Sequence, residues 1–141
     1  MKKKKSPQQI KEALRKKAVK LAKEIAKEKA GYQCEFVDEN GVRCYRSKEA
    51  GNQMHGSHIK SEGSHRSMSA DVDNIQCHCA GHHTGMGQVT PNWHDDPLLM
   101  IMLFAKQQPE RAEMLNLRAR EIPVCDLKYW EDKLKRLKAK I

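Results

Sequence analysis

Histidine and cysteine are concentrated in one segment of the chain. All seven histidines lie between His55 and His94, and four of the five cysteines lie in that segment or shortly before it. Thiolates and imidazoles are the side chains that most often bind zinc, and a neutral imidazole can also take up a proton at cellular pH. The segment therefore has the residue types for a metal site, for acid–base catalysis, or for both.

The cysteine count indicates metal binding rather than disulfide bonds. The chain has an odd number of cysteines, and its basic N-terminus lacks the apolar stretch of a signal peptide. Such a composition is typical of metal ligands in a reducing compartment, so we expect a cytoplasmic protein. Cys125 stands 46 residues beyond its nearest cysteine neighbour and is interpreted as a small buried apolar residue.

Five residues of this segment stand at fixed offsets from one another. His58 precedes Asn74, and three further residues follow Asn74 by five, eight and nine positions: Cys79, His82 and His83. This pattern resembles that of the HNH (ββα-metal) endonucleases. Among these, the chain is most similar to the NinG (Rap) recombination proteins of lambdoid phages and related phage nucleases.

The resemblance implies metal-dependent hydrolysis of DNA phosphodiester bonds. It covers most of residues 10–141, with firm motifs over residues 34–83. It makes His58 the general base, Asn74 the residue that orients the ring of His58, and His83 a ligand of the catalytic cation, Mg²⁺ or another divalent ion. Branched recombination intermediates are then candidate substrates, and a phage-encoded chain would act in the host cytoplasm.

The second ligand of the catalytic cation departs from the HNH pattern. These proteins usually have Asp or His immediately before the general base, where this chain has Ser57. We assign His55 to that role, although strand alternation places His55 and Ser57 on one face and His58 on the other. A kink at Gly56 would change this, and the alternative is that His55 is a surface or packing residue.

A structural zinc site is expected beside these residues. With 5% aromatic and 32% charged residues the core is small, and a metal often reinforces such a core. We assign the zinc to a Cys₃His set, which consists of Cys34, Cys44, Cys79 and His82. Cys77 and His78 are the competing ligands, but Cys79 and His82 keep the expected offset from Asn74.

A helix and a hairpin precede the motif. Residues 1–31 comprise the lysine run Met1–Lys5, expected to be disordered, and an amphipathic helix that begins with a capping box at Ser6. Residues 32–45 are predicted to form a hairpin with its turn at residues 39–41. The hairpin would bring two cysteine-bearing arms together, because paired arms lie about 5 Å apart.

The remaining elements complete an α+β fold. Short strands are predicted over residues 53–59 and 72–77, within a motif-bearing core that spans residues 32–96. Residues 97–141 are predicted to be helical, and the last helix is basic with heptad-like spacing of its apolar residues. That helix would form a homodimer seam or pack on the first helix. The predicted fold is a small zinc-stapled ββα-metal core flanked by N-terminal and C-terminal helices.

The positive charge lies in two arms. Residues 1–30 hold 12 Lys/Arg against three Glu, residues 31–127 are mildly acidic, and residues 128–141 are basic again. Such arms are typical of proteins that bind phosphate backbones, and solvated helix faces are the alternative. No apolar run approaches the roughly 20 residues of a membrane span, so we expect DNA and not a membrane as partner. The side chains assigned to DNA binding are Lys16, Lys20, Lys60, Arg66 and Lys135.

Two functions fit these observations. The first is a DNA endonuclease, and the second is a non-catalytic zinc-stapled DNA-binding module. His58 and Asn74 discriminate between them, because a zinc scaffold needs neither residue at that offset. A zinc deaminase is excluded, since its His-x-Glu and Pro-Cys-x-x-Cys signatures are absent. His65 could assist Arg66 at a phosphate, although a solvated loop explains it at least as well. His94 could help at the active site, but packing at a helix start is the safer interpretation, so neither residue is assigned a role.

Overall fold

The protein has an α+β fold with five helices and one two-stranded antiparallel sheet in the described part of the chain. The computed structural model describes residues 3–141, so the first two residues of the lysine run Met1–Lys5 lie outside it. The elements in chain order are α1 (Pro7–Lys29), β1 (Met54–His58), β2 (Ile75–Cys79), α2 (Ala80–Thr84), α3 (Pro97–Gln107), α4 (Pro109–Arg120) and α5 (Leu127–Lys138). In residues 3–141 no helix combines the length and apolar character needed to cross a membrane.

The predicted capping box starts α1. The Ser6 hydroxyl accepts a hydrogen bond from the Gln9 backbone at 3.2 Å, and the Gln9 side chain accepts one from the Ser6 backbone at 2.8 Å. The helix ends at Lys29, two residues before Gly31, whose φ of 67° no longer continues a right-handed helix. Its most buried residues are small: Ala18, Val19, Ala22 and Ala26. Small residues let the neighbouring elements approach the α1 backbone closely.

The predicted hairpin is irregular. Its arms are joined by two isolated antiparallel bridges, Gln33 with Ser47 and Val37 with Arg43, and neither arm is a regular strand. The Asp38 carboxylate holds the turn by accepting two backbone N–H bonds of 2.9 Å. The hairpin therefore supplies the two cysteine-bearing arms but does not extend the sheet.

β1 and β2 pair without a bulge. The register runs from Met54 opposite Cys79 to His58 opposite Ile75. The prediction of a strand over residues 72–77 was wrong at its start, because residues 72–74 form a 3₁₀ turn that the Asp71 side chain caps. The same strand continues two residues further than predicted, and α2 follows it directly.

One hydrophobic cluster unites all three predicted regions of the chain. Trp130 and Leu137 of α5 pack against the small residues of α1, together with Ile75 of β2. The heptad-like stripe of α5 thus packs within the chain against α1, which is the second of the two arrangements that the sequence allowed, although Leu127 at its start is exposed. A smaller cluster packs α3 and α4 near the end of β1 around Phe104 and Leu115.

Candidate metal centre and active site

The four residues assigned to zinc lie together. The hairpin supplies two sulfurs, and the junction of β2 and α2 supplies a third sulfur and an imidazole nitrogen. All four ligand atoms lie within 4.8 Å of one another and all four residues are buried: Cys34, Cys44, Cys79 and His82. Cys79 is also the N-cap of α2, and its sulfur accepts the His82 backbone N–H at 3.4 Å.

The distances in this cluster fit a tetrahedral metal ion. Nδ1 of His82 lies 3.5 Å from Sγ of Cys34 and 3.2 Å from Sγ of Cys79. A tetrahedron with ordinary zinc bond lengths separates sulfur and nitrogen by about 3.6 Å. Phe36 stacks on the His82 ring with centroids 4.1 Å apart, which fixes the ring plane. The cluster could therefore hold a metal such as zinc.

The competing ligands lie outside the cluster. Cys77 is buried on β2, but its sulfur does not join the group of ligand atoms within 4.8 Å. Nδ1 of His78 accepts a hydrogen bond of 3.2 Å from the Trp93 indole, and burial lowers the pKa of His78 to about 3. Cys125 packs at the edge of the α1–α5 core and is only partly buried, less than its interpretation as a buried apolar residue predicted.

The electrostatics of the cluster favour the thiolate at Cys79 and the thiol at Cys34, because the hydrogen bond between their sulfurs raises the pKa of Cys34 well above its usual range. A hydrogen bond from the Cys34 thiol lowers the pKa of Cys79 to about 3, against the opposing effect of burial and with further donors from His82. The Arg46 guanidinium donates to Sγ of Cys44 at 3.6 Å. At Cys79 the donors from Cys34 and His82 stabilise the deprotonated form that metal binding requires.

A second pair of potential metal ligands is formed by His55 and His83. Their Nδ1 atoms are 2.7 Å apart. His55 reaches His83 without any kink at Gly56, because α2 packs against β1. In residues 3–141 no third His, Cys, Asp or Glu adds a ligand atom within 4.8 Å of both nitrogens.

Both members of this pair are neutral at cellular pH. Burial lowers the pKa of His83 to about 4, and the neighbouring His55 and Lys23 add to the effect. Burial also lowers the pKa of His55, with contributions from Lys27 and Lys23. A neutral imidazole is the form that binds a metal, so the pair could hold a cation with two protein ligands.

A single hydrogen bond fixes the tautomer of the neutral His58 ring. Nε2 lies 2.7 Å from the backbone carbonyl oxygen of Ser69. A carbonyl oxygen only accepts, so Nε2 carries the proton and the neutral ring has its free electron pair on Nδ1. Nδ1 lies 4.0 Å from the nearer Glu62 oxygen, and the side chain is 10% exposed. Burial lowers the pKa of His58 despite the opposing carbonyl and carboxylate. His58 thus presents an unprotonated nitrogen at neutral pH.

Asn74 acts on the loop rather than on the His58 ring. Its fully buried side chain accepts from the Lys60 backbone N–H at 2.7 Å and donates to the carbonyls of Lys60 and Met68 at 3.0 and 3.2 Å. These bonds close the loop between the strands, which carries the Ser69 carbonyl. The predicted orientation of His58 by Asn74 can therefore operate only through that loop.

Sequence reasoning missed the contribution of α1 to this site. Arg15 is buried and donates to Glu12 at 2.6 and 3.0 Å, to Glu62 at 2.6 Å and to the Ser69 hydroxyl at 3.4 Å. It lowers the pKa of Glu12 to about 2. Arg15 therefore holds the two residues that lie beside the His58 ring, Glu62 and Ser69. The available signal was a charged residue three positions before Ala18, on the buried face of the helix.

The residues assigned to DNA binding fall into two groups. Lys16 and Lys20 on α1 and Lys135 on α5 are exposed. Arg66 instead contacts both oxygens of Glu12 at 3.2 Å, and the Lys60 ammonium donates to the Asn116 side chain. Two of the five assigned residues therefore have partners within the chain.

The two histidines without an assigned role differ in exposure: Nδ1 of His65 is buried and has no hydrogen-bond partner among the described residues. His94 is 71% exposed and lies 3.7 Å from the Asp95 carboxylate.

Comparison of the chain with protein-family models, curated proteins and solved structures found no match.

Proposed function

We propose that the protein is a metal-dependent HNH (ββα-metal) endonuclease that hydrolyses DNA phosphodiester bonds. The observation that carries the proposal is the hydrogen bond from Nε2 of His58 to the Ser69 carbonyl. It leaves Nδ1 as an unprotonated base in a partly dry site, a few residues along β1 from the His55–His83 pair. A protein stapled by zinc alone has no need of either arrangement.

The order of the elements supports the same proposal. Two antiparallel strands lead directly into α2, which carries a residue of the zinc cluster and a residue of the histidine pair side by side. β1 ends at His58, where an HNH nuclease has its base. Asn74 closes the loop between the strands, so His58, Asn74 and His83 follow one another at the end of β1, before β2 and on α2, in the order of the HNH motif.

In the proposed reaction His58 removes a proton from water through Nδ1. The water oxygen forms a bond to phosphorus, and the bond from phosphorus to the 3′ oxygen breaks. Its electron pair stays on the 3′ oxygen, which takes a proton from bulk water. One water is consumed, and the ends are a 5′-phosphate and a 3′-hydroxyl.

His55 and His83 would hold the divalent cation of this site. When bound, that cation supplies positive charge to the scissile phosphate and to the departing 3′ oxygen. Since both protein ligands are imidazoles, Mn²⁺ or Ni²⁺ should support cleavage at lower concentration than Mg²⁺, which prefers oxygen ligands.

The test is cleavage of supercoiled plasmid with added Mg²⁺, Mn²⁺ or Ni²⁺. His58→Ala should lose cleavage and keep its zinc content, fold and DNA affinity. His94→Ala is the matched control, since it removes an exposed histidine, and it should cut like the wild type. A folded, zinc-loaded wild type that binds DNA and cuts nothing would instead establish the non-catalytic binding module.

The resemblance to recombination nucleases also suggests which DNA structure is the substrate. We propose that branched DNA is cut faster than linear duplex of the same sequence. A four-way junction and its component duplexes, compared under the same cation, decide this. Equal rates on both would remove the recombination part of the proposal and leave the nuclease.

A further inference from the structure

Lys23 of α1 crosses β1 at Gly56. A Cβ atom on Gly56 would lie 2.5 Å from Cγ of Lys23 and 2.8 Å from its Cβ. No side chain tolerates such distances, so glycine at this position is what lets the lysine stem lie on the strand. The stem is therefore held on the strand segment between His55 and His58.

The ammonium group of Lys23 has no ion-pair partner in the part of the chain that is described. Its neighbours differ in this respect: Lys27 pairs with Glu24 at 2.6 Å, and Arg15 pairs with Glu12 and Glu62. Lys23 as a residue is partly buried, because its stem lies on the strand. An ammonium group without a carboxylate partner in the described chain is available to an anion from outside it.

Lys23 lies on the same face of β1 as His58. Side chains alternate along a strand, so the Lys23 stem over Gly56 covers the face that also carries His58. The nearest carboxylate to the His58 ring, that of Glu62, is already held by Arg15. An anion bound here would contact Lys23 and lie beside the proposed base.

We propose that Lys23 binds a non-bridging oxygen of the scissile phosphate. This inference rests on the proposed nuclease function and adds a catalytic residue to it. Negative charge grows on the phosphate oxygens as water adds to phosphorus, and a fixed cation compensates for it. Lys23 is one phosphate contact among many, so it affects the cleavage rate far more than the affinity for DNA.

The variant that tests this is Lys23→Met, which keeps an unbranched stem over Gly56 and removes the charge. Lys17→Met, at an exposed position of the same helix, is the matched control. At saturating plasmid, Lys23→Met should cut about 100-fold more slowly, and Lys17→Met should cut like the wild type. Lys23→Arg should recover most of the rate, because a guanidinium also binds phosphate. Zinc content and melting temperature report whether each variant is folded.

A second measurement separates this inference from the nuclease itself. Inorganic phosphate is titrated into each protein while the His58 imidazole signals are followed by NMR. Phosphate should shift them in the wild type and in Lys17→Met, but not in Lys23→Met.

The outcomes distinguish the two proposals. Wild-type cleavage with an equally active, folded Lys23→Met would overturn the role of Lys23 and leave the nuclease. A phosphate shift that persists in Lys23→Met would also overturn it. A wild type that never cuts, yet binds phosphate only when Lys23 is present, would refute the nuclease and keep the anion site.

Discussion

At the scale of single residues, the proposed chemistry depends on the charge of His58. Burial lowers its pKa below the ordinary 6.5, while the Ser69 carbonyl and the Glu62 carboxylate act in the opposite direction. The proposed base works only when neutral. Cleavage should therefore rise with pH through a pKa below 6.5 and remain constant above it.

Removing the Glu62 charge should shift the acidic limb of the pH–rate profile, which is the range in which cleavage rises with pH. The carboxylate stabilises the protonated imidazole, so Glu62→Gln should lower the pKa of His58 further and extend activity to lower pH. The freed Arg15 charge acts in the same direction. The measurement is a pH–rate profile with saturating plasmid and cation, with the exposed Glu131→Gln as control. An acidic limb that stays in place or moves to higher pH would contradict the assignment of His58 as base.

The residues of the site differ in how far the sequence could reveal them. The motif offsets identified Cys79 and His82 as candidate ligands, and the predicted hairpin added Cys34 and Cys44; these four residues form the cluster that could hold a metal. Arg15 and Lys23 could not be assigned in the same way. They lie in a helix with many basic residues. The position of Arg15 on the apolar face was its one sequence signal, whereas only the packing of α1 on β1 distinguishes Lys23 from its exposed neighbours.

At the scale of elements, the hairpin and α2 are joined through the proposed zinc. The hairpin contributes no regular strand. The buried cluster to which it belongs consists of cysteine and methionine side chains, with a few partly buried neighbours. Such a unit buries little apolar surface, so metal binding should provide much of its stability. The position of His83 beside His82 then makes the histidine pair dependent on the same metal.

Loss of one sulfur should therefore remove both zinc and the local fold. Cys79→Ser should bind no zinc, melt at a lower temperature and lose cleavage, while Cys125→Ser should keep one zinc and cut normally. Zinc content by atomic spectroscopy and thermal unfolding with and without a chelator provide the check. A Cys79→Ser protein that stays zinc-loaded and melts like the wild type would refute the Cys₃His site.

The elements themselves were predictable where local signals decide. The capping box of α1 and the Asp126 cap of α5 both form, the latter with the Tyr129 backbone N–H at 2.9 Å. β2 was misplaced at its start, because the Asp71 cap favours a 3₁₀ turn over residues whose composition suits a strand. The arms of the hairpin are irregular because the sulfurs of Cys34 and Cys44 both point into the metal cluster. An alternating strand pattern in the sequence does not predict this arrangement.

At the scale of the whole molecule, α1 takes part in the hydrophobic core, in the proposed active site and in the surface formed by the exposed lysines of α1 and α5. Its small residues pack on Trp130 and Leu137, while Arg15 and Lys23 face the site from the same helix. Because α5 packs on α1, the two basic arms of the chain come together in space. They are separated by almost a hundred residues of sequence, and only the fold joins them.

This arrangement predicts a combined electrostatic contribution to DNA binding. Exposed lysines on α1 and α5 would contact phosphates without reading sequence, and each contact releases counterions when DNA binds. A triple variant with Lys16, Lys20 and Lys135 changed to Gln should lower the slope of log affinity against log salt by as much as about 3, with a similar loss on any duplex sequence. Fluorescence anisotropy with a short duplex and no added divalent cation measures it. The control changes exposed Lys48, Lys106 and Arg120 to Gln, which removes the same charge from other elements. Equal slopes in the two triple variants would show that net charge, and not the joined surface of α1 and α5, governs binding.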